Sequence, residues 1–145
     1  MLDPCLGLPE WWLPFAARAE LRGIQVNWEL VPGTKLQTDP DFLRVVVANL
    51  FDNAVSYTPP GGIVRIKANA RGHISVANHA AGVKAAIVQH VFDPFWRNSQ
   101  AREQAEHHAG LGLDLCKRIM VLLGGRISAH VQEQEGMFEI RVEMA

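Results

Sequence analysis

Strict alternation of apolar and polar residues in short segments is what most limits how this chain can fold. Ile24, Val26, Trp28 and Leu30 alternate with Gln25, Asn27 and Glu29, and Phe138, Ile140, Val142 and Met144 alternate with Glu139, Arg141 and Glu143. Side chains of a strand point to opposite faces in turn, so each segment has one packed face and one wet face. Ile63 to Ala68, His73 to Asn78 and Arg126 to Val131 read as further strands, the first two joined by a tight turn at Arg71-Gly72. Helices then cover one side of the sheet only. The expected fold is α/β: a two-layer α/β sandwich of a mixed five-stranded sheet with about three main helices on one face.

The helices are placed by their ends. Pro9 to Arg22 reads as one, closed by Gly23, with Trp11, Trp12 and Phe15 turned to the core. Pro14 fits only if it falls in the first turn. Asp39-Pro40 is a cap followed by proline at the first helical position. The helix after it is expected to bury Phe42, Leu43, Val46, Val47, Leu50 and Ala54, and to carry Asn49, Asn53 and Ser56 as a polar stripe. Thr58-Pro59-Pro60-Gly61-Gly62 ends it as a turn. A short helix is expected around Lys84 to Val91, and a polar loop from Asn98 to His108. Gly110-Leu111-Gly112-Leu113 opens a last helix running to Leu123, stopped by Gly124-Gly125.

At 145 residues the chain suits one domain, 1–145, with a real core. Its 48% hydrophobic content excludes disordered and fibrous classes. A net charge of -1 gives no sign of a nucleic-acid or membrane-surface binder. Cys5 and Cys116 show no metal spacing and are too few for a disulfide framework, which points to a reducing cytoplasm. No apolar run is long enough to span a bilayer, and no signal peptide is visible. The chain nevertheless opens abruptly, as a piece of a larger protein would, and a membrane anchor elsewhere stays open.

Asn49 and Asn53 stand four residues apart on an otherwise apolar helix, so they face the same way. Asparagine competes for the backbone and forms helix poorly, and a plain solvated face more usually carries Lys and Glu. Two amides in line are what a site presenting neutral oxygen ligands requires. In the strand before Ala80-Ala81-Gly82, Asn78 shares the core face with Ile74 and Val76.

In order along the chain, these motifs resemble those of the ATP-binding domain of sensor histidine kinases. That domain has the nucleotide-binding (Bergerat) fold of gyrase, heat-shock protein 90, histidine kinases and MutL. The resemblance covers Gly23 to the C-terminus. The N box is Asn49 to Thr58 and the first glycine box is Val76 to Val83. The F box is Val91 to Arg97 and the second glycine box is Gly110 to Leu113. The resemblance implies ATP and Mg²⁺ as ligands, with Asn53 as the Mg²⁺ residue and Asn49 beside it at the catalytic centre. Mg²⁺ takes oxygen ligands and completes its shell with water and phosphate. Asn49 stands where hydrolytic relatives carry glutamate. An amide cannot take a proton from water, so the resemblance implies phosphotransfer to a protein, not hydrolysis.

The other roles follow in the same way. Gly82, Gly110, Leu111, Gly112 and Leu113 line the nucleotide, the glycines before the helix offering backbone N–H groups to phosphate. Tyr57 lies near adenine and ribose, and Arg97, with Arg102 as a further candidate, meets the phosphates. Phe92 and Phe95 match aromatics that pack the nucleotide lid. Asn78 takes the place of an aspartate that binds the adenine amino group. Losing that charge costs about 1–2 kcal/mol, although an amide can both accept and donate at adenine. Ala80 replaces a glycine and Ser56 a lysine, while His79 and His108 also depart from the commoner residues.

The expectation is therefore the catalytic domain of a two-component sensor histidine kinase. It would transfer the γ-phosphoryl group of Mg-ATP to a histidine on a separate dimerisation domain. A response regulator would act downstream, and the whole protein would be a homodimer with this domain on the cytoplasmic side of a membrane-anchored sensor. No nucleic acid or direct membrane contact is expected. Alternative readings are a degenerate nucleotide-binding module with a regulatory or docking role, and an anti-sigma-type protein serine kinase.

Overall fold

An Asp-Pro pair opens each of the two long helices. In α1 (Pro4–Leu21) the Asp3 carboxylate accepts from the Cys5 amide at 3.0 Å. In α2 (Pro40–Tyr57) Asp39 accepts from Asp41 at 2.9 Å and Phe42 at 3.2 Å. Such a cap satisfies amides the helix cannot, and proline at the first position gives up nothing. The start of α1 therefore differs from the expected Pro9, and both Pro9 and Pro14 lie inside it. Pro14 leaves the Glu10 carbonyl without its helical partner, but both residues are exposed, so water can replace the bond.

The computed structural model describes residues 3–33, 36–80, 83–94 and 112–144. After α1 come β1 (Gln25–Leu30), α2, β2 (Ile63–Ala68) and β3 (His73–His79). A short 3₁₀ helix (Ala85–Gln89), α3 (Gly112–Leu122), β4 (Arg126–Gln132) and β5 (Met137–Glu143) follow. The sheet runs β1-β2-β3-β5-β4, with β1 and β2 parallel and every other pair antiparallel. Val64, Ile66, Ile74, Val76, Ile140 and Val142 form its packed face, in one core with the buried residues of all three α-helices. The opposite face is polar: Lys67 meets Glu29 at 3.5 Å, and the Ser75 hydroxyl donates to Glu139 at 2.6 Å. This is the expected two-layer sandwich, with the layers set by alternation.

One assignment within α2 reverses. Phe42 is 47% exposed, whereas Phe51 is fully buried. Leu43, Val47, Leu50, Ala54 and Val55 define the buried arc, and Phe51 falls within it while Phe42 falls outside. Phe51 joins an aromatic cluster tying α1, α2 and β1 together. Its ring meets Trp12 edge-on at 5.1 Å and Phe15 at 6.1 Å, and Trp12 meets Trp28 at 6.2 Å.

The α2–α3 seam buries Cys116, whose thiol donates to the Val46 carbonyl at 3.6 Å. Burial pushes this thiol up from an ordinary 9.0 to about 12. The unfolded chain releases the proton near 9.0, but the folded one holds it until about 12. The associated stability is complete below pH 9.0 and is lost as pH rises toward 12. Urea unfolding across that range is expected to show an alkaline fall that Cys116→Ala flattens. An unchanged slope in the variant would contradict this.

Candidate functional site

Asn49 and Asn53 lie half-buried on one flank of α2. The Asn49 Nδ2 donates to the Val45 carbonyl one turn back, at 2.8 Å, which aims Oδ1 away from the helix. That oxygen meets the start of α3: a Cβ placed on Gly112 would lie 3.2 Å from it. Glycine thus lets the α3 backbone close on the Asn49 amide at the start of the α2–α3 seam. Tyr57, one turn beyond Asn53, is half-buried at the end of the same helix.

Ser56 does not join that flank. It is buried toward α1, where Arg18 Nη2 donates to its hydroxyl at 3.1 Å and to Asp52 Oδ1 at 2.7 Å. Asp52 and Ser56 are one turn apart on the margin of α2 that α1 covers, so the expected stripe divides between two neighbours. Asp52 itself is an ion-pair partner on the α1 side.

The turn after α2 is braced from the same quarter. Arg22 Nη2 donates to the Thr58 carbonyl at 2.7 Å, and the Arg22 carbonyl accepts from the Gly61 amide at 2.9 Å. Thr58 is fully buried, its hydroxyl donating to the Ala54 carbonyl at 2.5 Å. A Cβ on Gly62 would stand 2.6 Å from Thr58 Cγ2, 2.9 Å from the Pro59 oxygen and 3.5 Å from His79 Cβ, so only glycine fits there unstrained. His79 Nδ1 accepts from the Ile63 amide at 3.2 Å, a bond that joins the ends of β2 and β3. The end of α2 is thereby brought against the end of β3.

Asn78 occupies that end of β3, between Val64 of β2 and Phe138 of β5. It is 2% exposed. Its Nδ2 donates to the His79 carbonyl at 2.9 Å, which orients the amide and leaves Oδ1 as its acceptor side. Leu113 and Phe92 are both partly buried against the core, and Lys117 lies 5.8 Å from the Phe92 ring centre. Gly82, Phe95, Arg97, Arg102, Gly110 and Leu111 lie outside the described residues.

The structure thus brings Asn49 and Gly112 together, and sets Asn78 beside the turn that ends the Asn53–Tyr57 helix. The bracing roles of Arg18, Arg22, Thr58 and His79 were not read from the sequence. Their one trace is spacing: Arg18 and Arg22, like Asp52 and Ser56, are four apart, so two helix faces can zip together. Among the described residues, no three His, Cys, Asp or Glu side chains gather to hold a metal. No helix among them is long and apolar enough to cross a membrane.

The family model described as "Histidine kinase-, DNA gyrase B-, and HSP90-like ATPase" matches residues 38–145. α1 and β1 lie ahead of that segment. The adaptive-response sensory kinase SasA of Synechococcus elongatus is 38% identical over 103 residues, 67% of this chain and 26% of that protein. Among solved structures, the mycobacterial sensor histidine kinase MprB superposes with a TM-score of 0.79 at 22% identity, over 99% of this chain and 95% of that one. Full-length ShkA, solved in complex with AMPPNP, gives a TM-score of 0.78 at 25% identity, over 99% of this chain and 31% of that one. The chain spans about a quarter of the length of the curated relatives it matches.

Proposed function

The chain belongs to the histidine kinase-, DNA gyrase B- and HSP90-like ATPase family, and from that premise we propose that it is the single ATP-binding catalytic domain, 1–145, of a two-component sensor histidine kinase. The observation that carries the reading is the Asn49 amide oxygen facing Gly112 at the start of α3. At position 49, where α2 meets the α3 backbone, the chain offers a neutral amide oxygen in place of a carboxylate. Nothing at that position can accept a proton from water, which favours passing phosphate to a protein over hydrolysis.

The donor set suits magnesium nucleotide. Asn49 and Asn53 would supply amide oxygens, and a hard cation held this way draws its remaining ligands from water and phosphate. Bound Mg²⁺ would neutralise charge on the phosphate oxygens. The chain's own contribution is positioning. Asn53 would hold the metal, Gly112 would admit the phosphates to the α3 backbone, and Tyr57 would pack near ribose and adenine. Asn78 Oδ1, oriented by the His79 carbonyl, would accept from the adenine amino group. Gly82, Arg97, Gly110, Leu111 and Leu113 complete the proposed nucleotide-binding set. Phosphoryl transfer is mostly a matter of such alignment and charge neutralisation.

The acceptor in this reading is a histidine on a dimerisation domain of the same protein, with a response regulator next in line. The assembly is a homodimer whose catalytic domain lies on the cytoplasmic side. That AMPPNP is bound in the ShkA structure supports nucleotide as the ligand class.

A second reading, a degenerate regulatory module, draws on Asn78, which keeps the acceptor but not the charge. Titration calorimetry with Mg-AMPPNP separates the two. Binding with a Kd of about 1 mM or tighter, near -4 kcal/mol, is expected. Absence of heat, and of any rise in Tm with added nucleotide, would leave only the second reading.

A further inference from the structure

Resting on the reading above, we propose that Arg18 of α1 is a nucleotide-binding residue that gives the proposed site a cation for the polyphosphate from outside the family-matched segment. All three of its hydrogen bonds among the described residues use Nη2: to Asp52 Oδ1 at 2.7 Å, Ser56 Oγ at 3.1 Å and the Asp52 carbonyl at 3.4 Å. Nη1 and Nε make none among the described residues, and the side chain is 46% exposed. The guanidinium is thus held by one edge with its other edge open.

Its anchors flank the ligand residues. Asp52 stands three residues after Asn49 and Ser56 three after Asn53, so each anchor neighbours a ligand residue on the surface of α2. α2 itself has no Lys or Arg after Arg44, so its asparagine-bearing half brings no cation of its own to a triphosphate. A guanidinium matches phosphate geometry with paired N–H groups and stays charged at any working pH. The Asp52 carboxylate holds one edge of the group and also competes with an incoming phosphate for its charge. The same bridge also fastens α1 to α2, so phosphate selectivity must be separated from simple bracing.

Calorimetry on the full chain makes the separation, with Mg-AMPPNP and with adenosine as probes. Arg18→Gln is expected to weaken Mg-AMPPNP about tenfold, as loss of a charge-assisted bond should, while adenosine changes by no more than about twofold. Arg18→Lys, which keeps the charge, is expected to recover most of the difference. Equal losses for both ligands, or none for either, would overturn the proposal and leave Arg18 a brace. If Arg18→Gln fails to fold, Asp52→Asn reads the same question with the arginine in place. It should tighten Mg-AMPPNP more than adenosine, and unchanged or weaker Mg-AMPPNP binding overturns the proposal. A wild-type chain that binds neither probe defeats the nucleotide reading itself, and this inference with it. A uniform loss in the variant alone defeats only the role of Arg18.

Discussion

Asn53→Ala is expected to weaken Mg²⁺-dependent binding of AMPPNP by about a hundredfold, the upper part of the range for losing a bond to a charged partner. Alanine leaves the helix intact and removes the one oxygen this position can offer a cation. Asn53 is half-buried within α2, not at its end. Alanine is also the better helix former by several tenths of a kcal/mol, so Tm should hold or rise. That opposition between lost binding and kept stability marks a ligand residue and not a packing one. With the metal chelated, wild type and variant should bind the nucleotide alike. Equal affinity of the two in saturating Mg²⁺, or a loss that ignores Mg²⁺, would remove Asn53 from the metal site.

Phe51→Ala should cost about 3–5 kcal/mol, the usual toll for emptying a buried aromatic position. Domains rarely hold more than about 5–15 kcal/mol in total, so Tm should drop on the order of 10 °C or more. The ring is fully buried and packs edge-on against Trp12 at 5.1 Å, so its removal loosens α1 from α2 as well as opening a void. Phe42→Ala is the internal control. It deletes the same side chain from the same helix, but at a 47% exposed position, and should cost about 1 kcal/mol or less. Urea unfolding followed by tryptophan fluorescence reads both, and comparable costs for the two would refute the burial argument.

These two phenylalanines also show where sequence reading stops. The sheet is legible because period-two alternation leaves little choice, and Asn78 falls on the packed face by that count alone. The Asn49–Asn53 flank is legible because positions four apart on a helix must share a side. Which of two apolar residues lies at the edge of a buried arc is decided by what packs there, and α2 has neighbours on both sides. Ser56 illustrates the same limit, since α1 claims it through Arg18, a residue far away in sequence. The start of α1 was hidden by Pro9 and Pro14, although Asp3-Pro4 carried the signal that located α2. The departure at His79 became intelligible only when its ring was seen joining β2 to β3. The site is thus legible where one element suffices and obscure where two must meet.

Topology also orders the assembly of the molecule in time. β2 and β3, and β4 and β5, are joined by short reversals, so each pair can find its register within a local stretch of chain. Two pairings are different: β1 meets its parallel partner β2 across all of α2, and β3 meets β5 across α3 and β4, so both wait until a long intervening stretch is closed. α1 precedes β1 and arrives with it, carrying the guanidinium groups that brace α2 and its terminal turn. A folding chain can therefore hold its two hairpins and its asparagine helix before the sheet is joined and α1 is docked, and nucleotide competence comes late.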